Sequence, residues 1–324
     1  APPPSSPART VEGPPGAERE RLERPVGVLC PAGPDDVLPS DSARKAEALG
    51  FESIWVGEHP AVPVRIERDY VQLVDGHLPY FYTNLADPWM TLAHAAGATS
   101  KIRFGTAVGL VTLRHPLQLA KILATLDRQS RGRLIVGAGA AWLIEEMELF
   151  GVEFGSRFER MEEMVVAMRR IWTEEVVEFH GKHVDFPPLF CRYPSFQRPI
   201  PVLCGVHGLR GMKMAARWAD GWIPIAADPE VLARDVTRLR GLCEEAGRDP
   251  RAMDVTAMAA VDETTPAAFV ASLFEAGATR VILAVGTVTT SRTVREGPSD
   301  AHPLAPERYE ATLEHVASRF VTPV

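Results

Sequence analysis

The residue best placed by its neighbours to move a proton is His59. It follows an acid, Glu58, just past the short apolar run Ser53-Ile-Trp-Val56. An imidazole can donate to a developing anion or relay a proton near neutral pH, so His59 and Glu58 are the catalytic candidates. Other titratable groups read more plainly. His94 falls on a helical stretch and His115 reads as a helix cap. Glu145, Glu146 and Glu148 crowd together with no ligating histidine near them, and a solvated helix start is expected there. Cys30, Cys191, Cys204 and Cys243 are scattered, with no CxxC pair and no histidine at metal spacing, so reduced thiols and no metal site are expected.

Three runs of small residues suit a flat or anionic ligand. They are Gly105-Thr106-Ala107-Val108, Gly137-Ala138-Gly139 and Gly205-Val206-His207-Gly208. Small side chains let backbone approach a ligand closely, and a helix N-terminus beyond them offers free N–H groups to phosphate. Only Ala284-Val285-Gly286 is comparable later in the chain. The anion site is therefore expected on the fourth and fifth strands rather than on the seventh and eighth, where such barrels usually place it.

These runs all stand at the ends of strands. Strands are expected at Val26–Cys30, Ser53–Val56, Ile102–Val108, Leu134–Val136, Ile200–Cys204, Gly221–Ile225, Asp254–Met258 and Arg280–Val285. Amphipathic helices follow near 41–49, 88–98, 116–130, 157–172, 209–218, 229–246, 266–276 and 306–319. Asp87-Pro88, His115-Pro116, Asp228-Pro229 and Thr265-Pro266 each put proline at a first helical position. Gly50, Gly97, Gly132, Gly247 and Gly277 sit where helices must stop. Eight strand–helix rounds predict a parallel sheet closed into an α/β (β/α)₈ TIM barrel, with its chemistry at the C-terminal ends of the strands.

Two connections exceed plain turns, His59 to Ala86 and about Thr173 to Arg198. They hold Tyr70, Tyr80, Tyr82 and Tyr193, along with Phe81, Phe186, Phe190 and Phe196. Such aromatics either pin long loops down as a satellite cluster or wall a substrate site over the barrel mouth. On the second reading Tyr80, Tyr82 and Tyr193 bind substrate. The stretch Glu175–Phe186 reads as a hairpin that leaves His180 and His183 at the surface.

The chain has 324 residues, 46% of them hydrophobic, and a net charge of −7. That charge offers no basic surface for nucleic acid. No stretch approaches the ~20 apolar residues of a membrane span. Residues 1–24, rich in Pro, Ser, Arg and Glu, read as a disordered tail without the apolar core of a signal peptide, and residues 25–324 are expected to form one catalytic domain in the cytoplasm.

Several segments together resemble the bacterial luciferase-like monooxygenase superfamily, and its deazaflavin-dependent branch above all. They are Phe51-Glu-Ser-Ile-Trp-Val-Gly-Glu-His59, Ile102-Arg-Phe-Gly-Thr-Ala-Val108, Arg114-His-Pro116, Leu123-Ala-Thr-Leu-Asp-Arg128, Gly132-Arg-Leu-Ile-Val-Gly-Ala-Gly139 and Ala215-Ala-Arg-Trp-Ala-Asp-Gly-Trp222. The resemblance spans about residues 25–285, with the motifs in the family's order. It implies a barrel holding coenzyme F420, or alternatively FMN, with the ring in the mouth and the phosphate over strands four and five.

By the same resemblance His59 faces the reactive side of the ring. Ala107-Val108 match the pair that forms a non-prolyl cis peptide and bulge behind it. Gly137, Ala138 and Gly139 match a cofactor-contacting loop, Gly205 to Gly208 match the phosphate loop, and Thr106 joins the cofactor set. Ala140 stands where some members carry an acid, and Gly208 where close relatives carry a hydroxyl. The implied activity is hydride transfer between F420 and an organic C=C, C=N or C=O group, or the reverse. The alternatives are an FMN-dependent monooxygenase using oxygen and a barrel without cofactor that only binds. A small-molecule substrate, a homodimer and a separate cofactor-reducing enzyme are the expected partners.

Overall fold

The computed structural model describes residues 24–30, 32–34, 36–70, 78, 80–262, 264–285 and 306–321. The expected tail and the Gly286 end of the last small-residue loop lie outside these, Arg24 excepted. The β-branched runs become β1 (Val26–Leu29), β2 (Ser53–Val56), β3 (Arg103–Thr106), β4 (Gly109–Leu110), β5 (Leu134–Gly139), β6 (Val176–His180), β7 (Asp185–Phe190), β8 (Val202–Cys204), β9 (Gly221–Trp222), β10 (Asp254–Val261) and β11 (Arg280–Val285). The helices are α1 (Pro39–Ala48), α2 (Tyr80–Thr83), α3 (Pro88–Ala98), α4 (Pro116–Gln129), α5 (Ile144–Leu149), α6 (Arg157–Thr173), α7 (Gly208–Trp218), α8 (Pro229–Glu245), α9 (Ala267–Glu275) and α10 (Pro306–Phe320).

Parallel pairing runs β1, β2, β3, β5, β8, β9, β10, β11 and back to β1, which closes an eight-staved (β/α)₈ barrel. The third stave is broken into β3 and β4. Phe104 faces Leu134 and Gly109 faces Ala138, so five steps along this stave match four along β5. One extra residue makes a bulge. The Ala107–Val108 peptide within it is cis. The short helix α2 had no expectation behind it, whereas α5 forms where a helix start was expected at Glu145 and Glu146; both lie in the loops above the barrel.

Alternation along the strands sorts the core into two layers. Trp55, Ile135, Leu203, Ile223 and Ile282 point inward and fill the barrel. Ile54, Val56, Leu134, Val136, Val281 and Leu283 point outward against the helices. Trp55 fits because its neighbouring staves carry no side chain there. A Cβ at Gly105 would come within 2.5 Å of the Trp55 ring, and one at Gly27 within 2.7 Å of its Nε1. Gly105 therefore serves packing and not a ligand.

Helix starts follow the proline signals. The Asp87 carboxylate accepts from the N–H groups of Trp89 and Met90, and that of Asp228 from Glu230. Pro266, in contrast, is itself the N-cap of α9. Gly97, expected as a stop, lies inside α3.

The lower, N-terminal end of the barrel is closed by charge. The buried Arg280 guanidinium pairs with Glu52 at 2.9 Å and Asp254 at 2.7 Å. Burial alone would raise both carboxyls; Arg280 holds them below their ordinary values.

The second long connection does not reach the mouth. β6 and β7 form an antiparallel hairpin whose Val177, Val184 and Phe186 pack on Met164 and Ala167 of α6. The Glu163 carboxylate of α6 accepts the N–H groups of Lys182, His183 and Val184 in its turn. His180 is exposed as expected, whereas His183 is largely covered. The chain then passes beneath α4, where Arg128 donates to the Pro194 carbonyl and Tyr193 lies against Lys121 and Arg128. The expectation that Tyr193 binds substrate is thus corrected. Both α6 and β8 meet this connection at the lower end of the barrel, so nothing draws it over the top. Among the described residues, no helix is long and apolar enough to cross a membrane.

Candidate active site

The floor of the barrel mouth is apolar. Leu29, Ala107, Val108 and Met258 lie partly exposed on the inner layer that Trp55 and its neighbours fill. Val108 occupies the space left by two glycines, because a Cβ at Gly139 or Gly205 would collide with its methyl groups. Gly137 has a different task. A Cβ there would overlap the carbonyl oxygen of Thr106, so Gly137 lets the third and fourth staves close up. The Thr106 hydroxyl is buried and donates to the Gly137 carbonyl at 2.8 Å. Ala138 points outward into the helical layer. The side chains of Thr106 and Ala138 are thus taken up by packing, which leaves their backbone as what these two expected cofactor positions could offer a ligand.

His59 stands above this floor in a largely enclosed place. Its side chain is 5% exposed, and its Nδ1 lies 2.8 Å from a carboxylate oxygen of Glu146, itself fully buried. The other Glu146 oxygen accepts the Ala61 N–H at 3.1 Å. With Nδ1 engaged by Glu146, Nε2 is the ring nitrogen left without a described hydrogen-bond partner. Glu146 is therefore not part of a solvated helix start, and that expectation is corrected. The short helix α5 turns its first acids inward toward the loop that follows β2.

Glu145 does parallel work. It accepts the N–H groups of Glu67 and Arg68 and the hydroxyl of Tyr70, the last at 2.7 Å. Burial pushes its carboxyl up, but these donors hold it below the usual range. The two glutamates together stitch residues 59–70 onto α5.

Aromatic rings enclose the imidazole. Tyr82 and Trp142 meet His59 edge to face at 5.0 and 5.5 Å between centroids. Tyr70 packs on Trp142 at 5.3 Å. Burial raises the Tyr82 phenol above its ordinary value, so it stays a neutral donor. Tyr82, expected at the substrate wall, is brought beside His59. Tyr80 lies in α2, and its side chain is outside the described residues.

Glu58 points elsewhere. One of its oxygens accepts the Leu110 N–H at 2.6 Å, and the other takes Arg114 Nε at 2.8 Å together with Nη2. Arg114 also reaches Asp87, the cap of α3. Burial raises the Glu58 carboxyl, with Arg114 opposing. With both oxygens occupied, Glu58 braces the third stave beside the bulge and is not a proton carrier.

An anion could be held at the start of α7. Its N-cap, His207, makes no side-chain capping bond. Gly208 has φ +67 and nothing within 4 Å of where a Cβ would stand. The first N–H groups of a helix lack intrahelical partners and carry its positive end. Gly205 and Val206 lead directly into this turn, and the Val206 carbonyl is fixed by Trp222 Nε1 at 3.0 Å.

Residues 39–319 match the sequence profile of a family described as luciferase-like monooxygenase. The chain belongs to that family. An uncharacterized protein of Mycobacterium tuberculosis (strain ATCC 25618 / H37Rv) is 38% identical over 66% of this chain and 76% of its own length. A phthiodiolone/phenolphthiodiolone dimycocerosates ketoreductase of Mycobacterium bovis (strain BCG / Pasteur 1173P2) is 30% identical over 68% of this chain and 60% of its own. Among solved structures, an F420-dependent secondary alcohol dehydrogenase in complex with an F420-acetone adduct superposes with a TM-score of 0.70. It shares 18% identity, over 92% of this chain and 98% of that one.

For this luciferase-like chain, residue types in isolation missed Glu146 and Trp142. A signal was present nonetheless. Trp142 follows the Gly139-Ala-Ala turn directly, and Glu146 comes four residues later, with Ala140 leaving the nearer position without an acid. What could not be read was that this carboxylate reaches back to His59.

Proposed function

We propose that this luciferase-like protein is a coenzyme F420-dependent oxidoreductase acting on a carbonyl group or the corresponding alcohol. The observation that carries the reading is the His59–Glu146 contact inside an aromatic enclosure. Adding hydride to a carbonyl carbon leaves its oxygen needing a proton, and the reverse reaction must take one away. A histidine held through Nδ1 presents one ring nitrogen for either task. The names of two similar proteins, a ketoreductase and a secondary alcohol dehydrogenase, support the same substrate group.

The residues present fit a flat, phosphorylated cofactor. Ala107 and Val108 with Leu29 and Met258 offer a ring an apolar floor, Gly139 and Gly205 allow close approach, and the first turn of α7 would hold a phosphate. When bound, the deazaflavin supplies or accepts the hydride. The chain does the rest. Tyr82 and Trp142 keep water from the imidazole. Glu146 holds Nδ1 and stabilises the charged ring. In reduction, Nε2 gives its proton to the oxygen as the C=O electron pair moves there; in oxidation, neutral Nε2 takes the hydroxyl proton.

The test is direct. Purified protein is titrated with oxidised F420 and with FMN, followed by fluorescence quenching and thermal shift. Reduced F420 is then mixed anaerobically with small ketones. Saturable F420 binding and ketone-dependent reoxidation are expected. Tighter binding of FMN, with reoxidation only in oxygen, would replace this reading by flavin-dependent oxygenation.

A further inference from the structure

Tyr70 is separated from His59 by one ring, Trp142, and it is tied down more firmly than its place in an open loop requires. No residue from Pro60 to Tyr70 is buried. The hydrogen bonds described for this stretch all end on α5, three of them on the carboxylate of Glu145. One Glu145 oxygen receives the N–H groups of Glu67 and Arg68, at 3.2 and 3.3 Å. The other receives the Tyr70 hydroxyl at 2.7 Å, and that hydroxyl in turn accepts the Ile144 N–H at 3.1 Å. Adjacent residues of α5 therefore fix the phenol both as donor and as acceptor. Burial and the neighbouring carboxylate raise its pKa, so it stays a donor.

Trp142 is held from two sides. On the backbone side, Ala141 has φ +61, a region that L side chains rarely adopt. Its methyl is buried among Leu110, Leu113, Met147 and Val152. A residue kept in such a conformation marks a place where the surroundings over-determine the chain, and such places gather at working sites. On the ring side, Tyr70 meets the indole at 5.3 Å and 76°. The indole then meets His59 at 74° and Tyr82 at 68°. Edge-to-face contacts depend on the angle between the rings, so a tilt of Trp142 loosens both.

We propose that Glu145 is a positioning residue for the reaction at His59, acting through the Tyr70 hydroxyl and the Trp142 ring. The inference rests on the reading above that His59 moves the proton. Glu145 and Glu146 divide the task between them: Glu146 holds the imidazole itself, and Glu145 holds the wall beside it. The arrangement matters for rate because a misplacement of about 1 Å at a reacting group can cost about 10²-fold.

The experiment begins without cofactor. Of the six tryptophans, Trp55, Trp89, Trp172, Trp218 and Trp222 are buried, so acrylamide quenching of fluorescence reads Trp142 above the others. Glu145→Ala and Tyr70→Phe should each raise the quenching constant. Melting temperature should hardly move, since the loop they release buries no side chain. Single-turnover reoxidation of reduced F420 by a ketone should slow about tenfold in each variant, with F420 affinity kept. In a Trp142→Phe background neither change should slow the step further. Unaltered quenching, slowing that adds to that of Trp142→Phe, or slowing matched by loss of folded protein makes Glu145 a loop anchor only and leaves the F420 reading standing. A wild-type protein that passes no hydride to ketones overturns the reading of His59 and this inference with it.

Discussion

The Nδ1 of His59 and a carboxylate oxygen of Glu146 lie 2.8 Å apart, although 87 positions separate the residues along the chain. The contact joins the end of the second stave to the helix beyond the fourth. It engages one ring nitrogen and leaves the other without a described partner, and it satisfies a carboxylate that has no access to water.

His59→Ala should lower turnover by about 10²-fold, the scale of losing a positioned acid–base group. It should also cost about 1–3 kcal/mol, because Glu146 is left buried with only the Ala61 N–H. Glu146→Gln keeps the shape and removes the charge, so it should slow turnover while melting close to wild type. A double-mutant cycle on melting and single-turnover rates should show coupling of about 0.5–3 kcal/mol. Additive effects would make the contact incidental.

Tyr82→Ala and Tyr193→Ala should part company. Tyr82 shares an edge contact with His59, and its loss opens the enclosure to water. Turnover should fall with cofactor affinity nearly kept. Tyr193 lies against Lys121 and Arg128 under α4, so its removal should leave turnover unchanged. Equal kinetic damage from both would place the second connection back at the mouth.

Two glycines of the expected cofactor set should fail differently when changed to alanine. At Gly137 the new methyl meets the Thr106 carbonyl, which is backbone and cannot step aside. Overpacking of that kind costs about 1–3 kcal/mol or more, seen as a lower melting temperature without any ligand. At Gly208 there is room, but φ of +67 costs alanine about 1–2 kcal/mol. The fold should survive there, and phosphate-dependent affinity should drop more than stability does.

Acid should attack the lower end of the barrel. Glu52 and Asp254 sit below their ordinary values of 4.5 and 3.8, chiefly because the Arg280 charge overcomes their burial. Their contribution is complete above those values and is lost as pH falls through the depressed ones. Arg280→Met takes the shared cation from two partly buried carboxylates, Glu52 keeping only Arg103 at 3.9 Å, at a cost below the roughly 3–5 kcal/mol of a fully buried pair. The gap between variant and wild type should narrow on acidification as the stranded acids take up protons. Melting curves from pH 7 to pH 4 would show it; a constant gap would remove Arg280 from this account.

Local rules carried the architecture. Short apolar runs ending in small residues, prolines behind capping acids and the strand–helix alternation specify eight parallel staves, and every one of them forms. They also place His59 at the right end of the barrel, because strand order alone decides which end that is. The glycine runs were harder. A glycine that receives a ligand and one that receives a neighbouring strand look alike in sequence, so Gly105 and Gly137 declare themselves only when Trp55 and Thr106 arrive beside them. Partners distant along the chain were beyond reach for the same reason. Glu58 and Glu146 are both acids on the rim of the barrel, one beside the histidine in sequence and one 87 residues away. Burial and direction, which belong to the closed barrel, turned the near one onto Arg114 and the far one onto the imidazole.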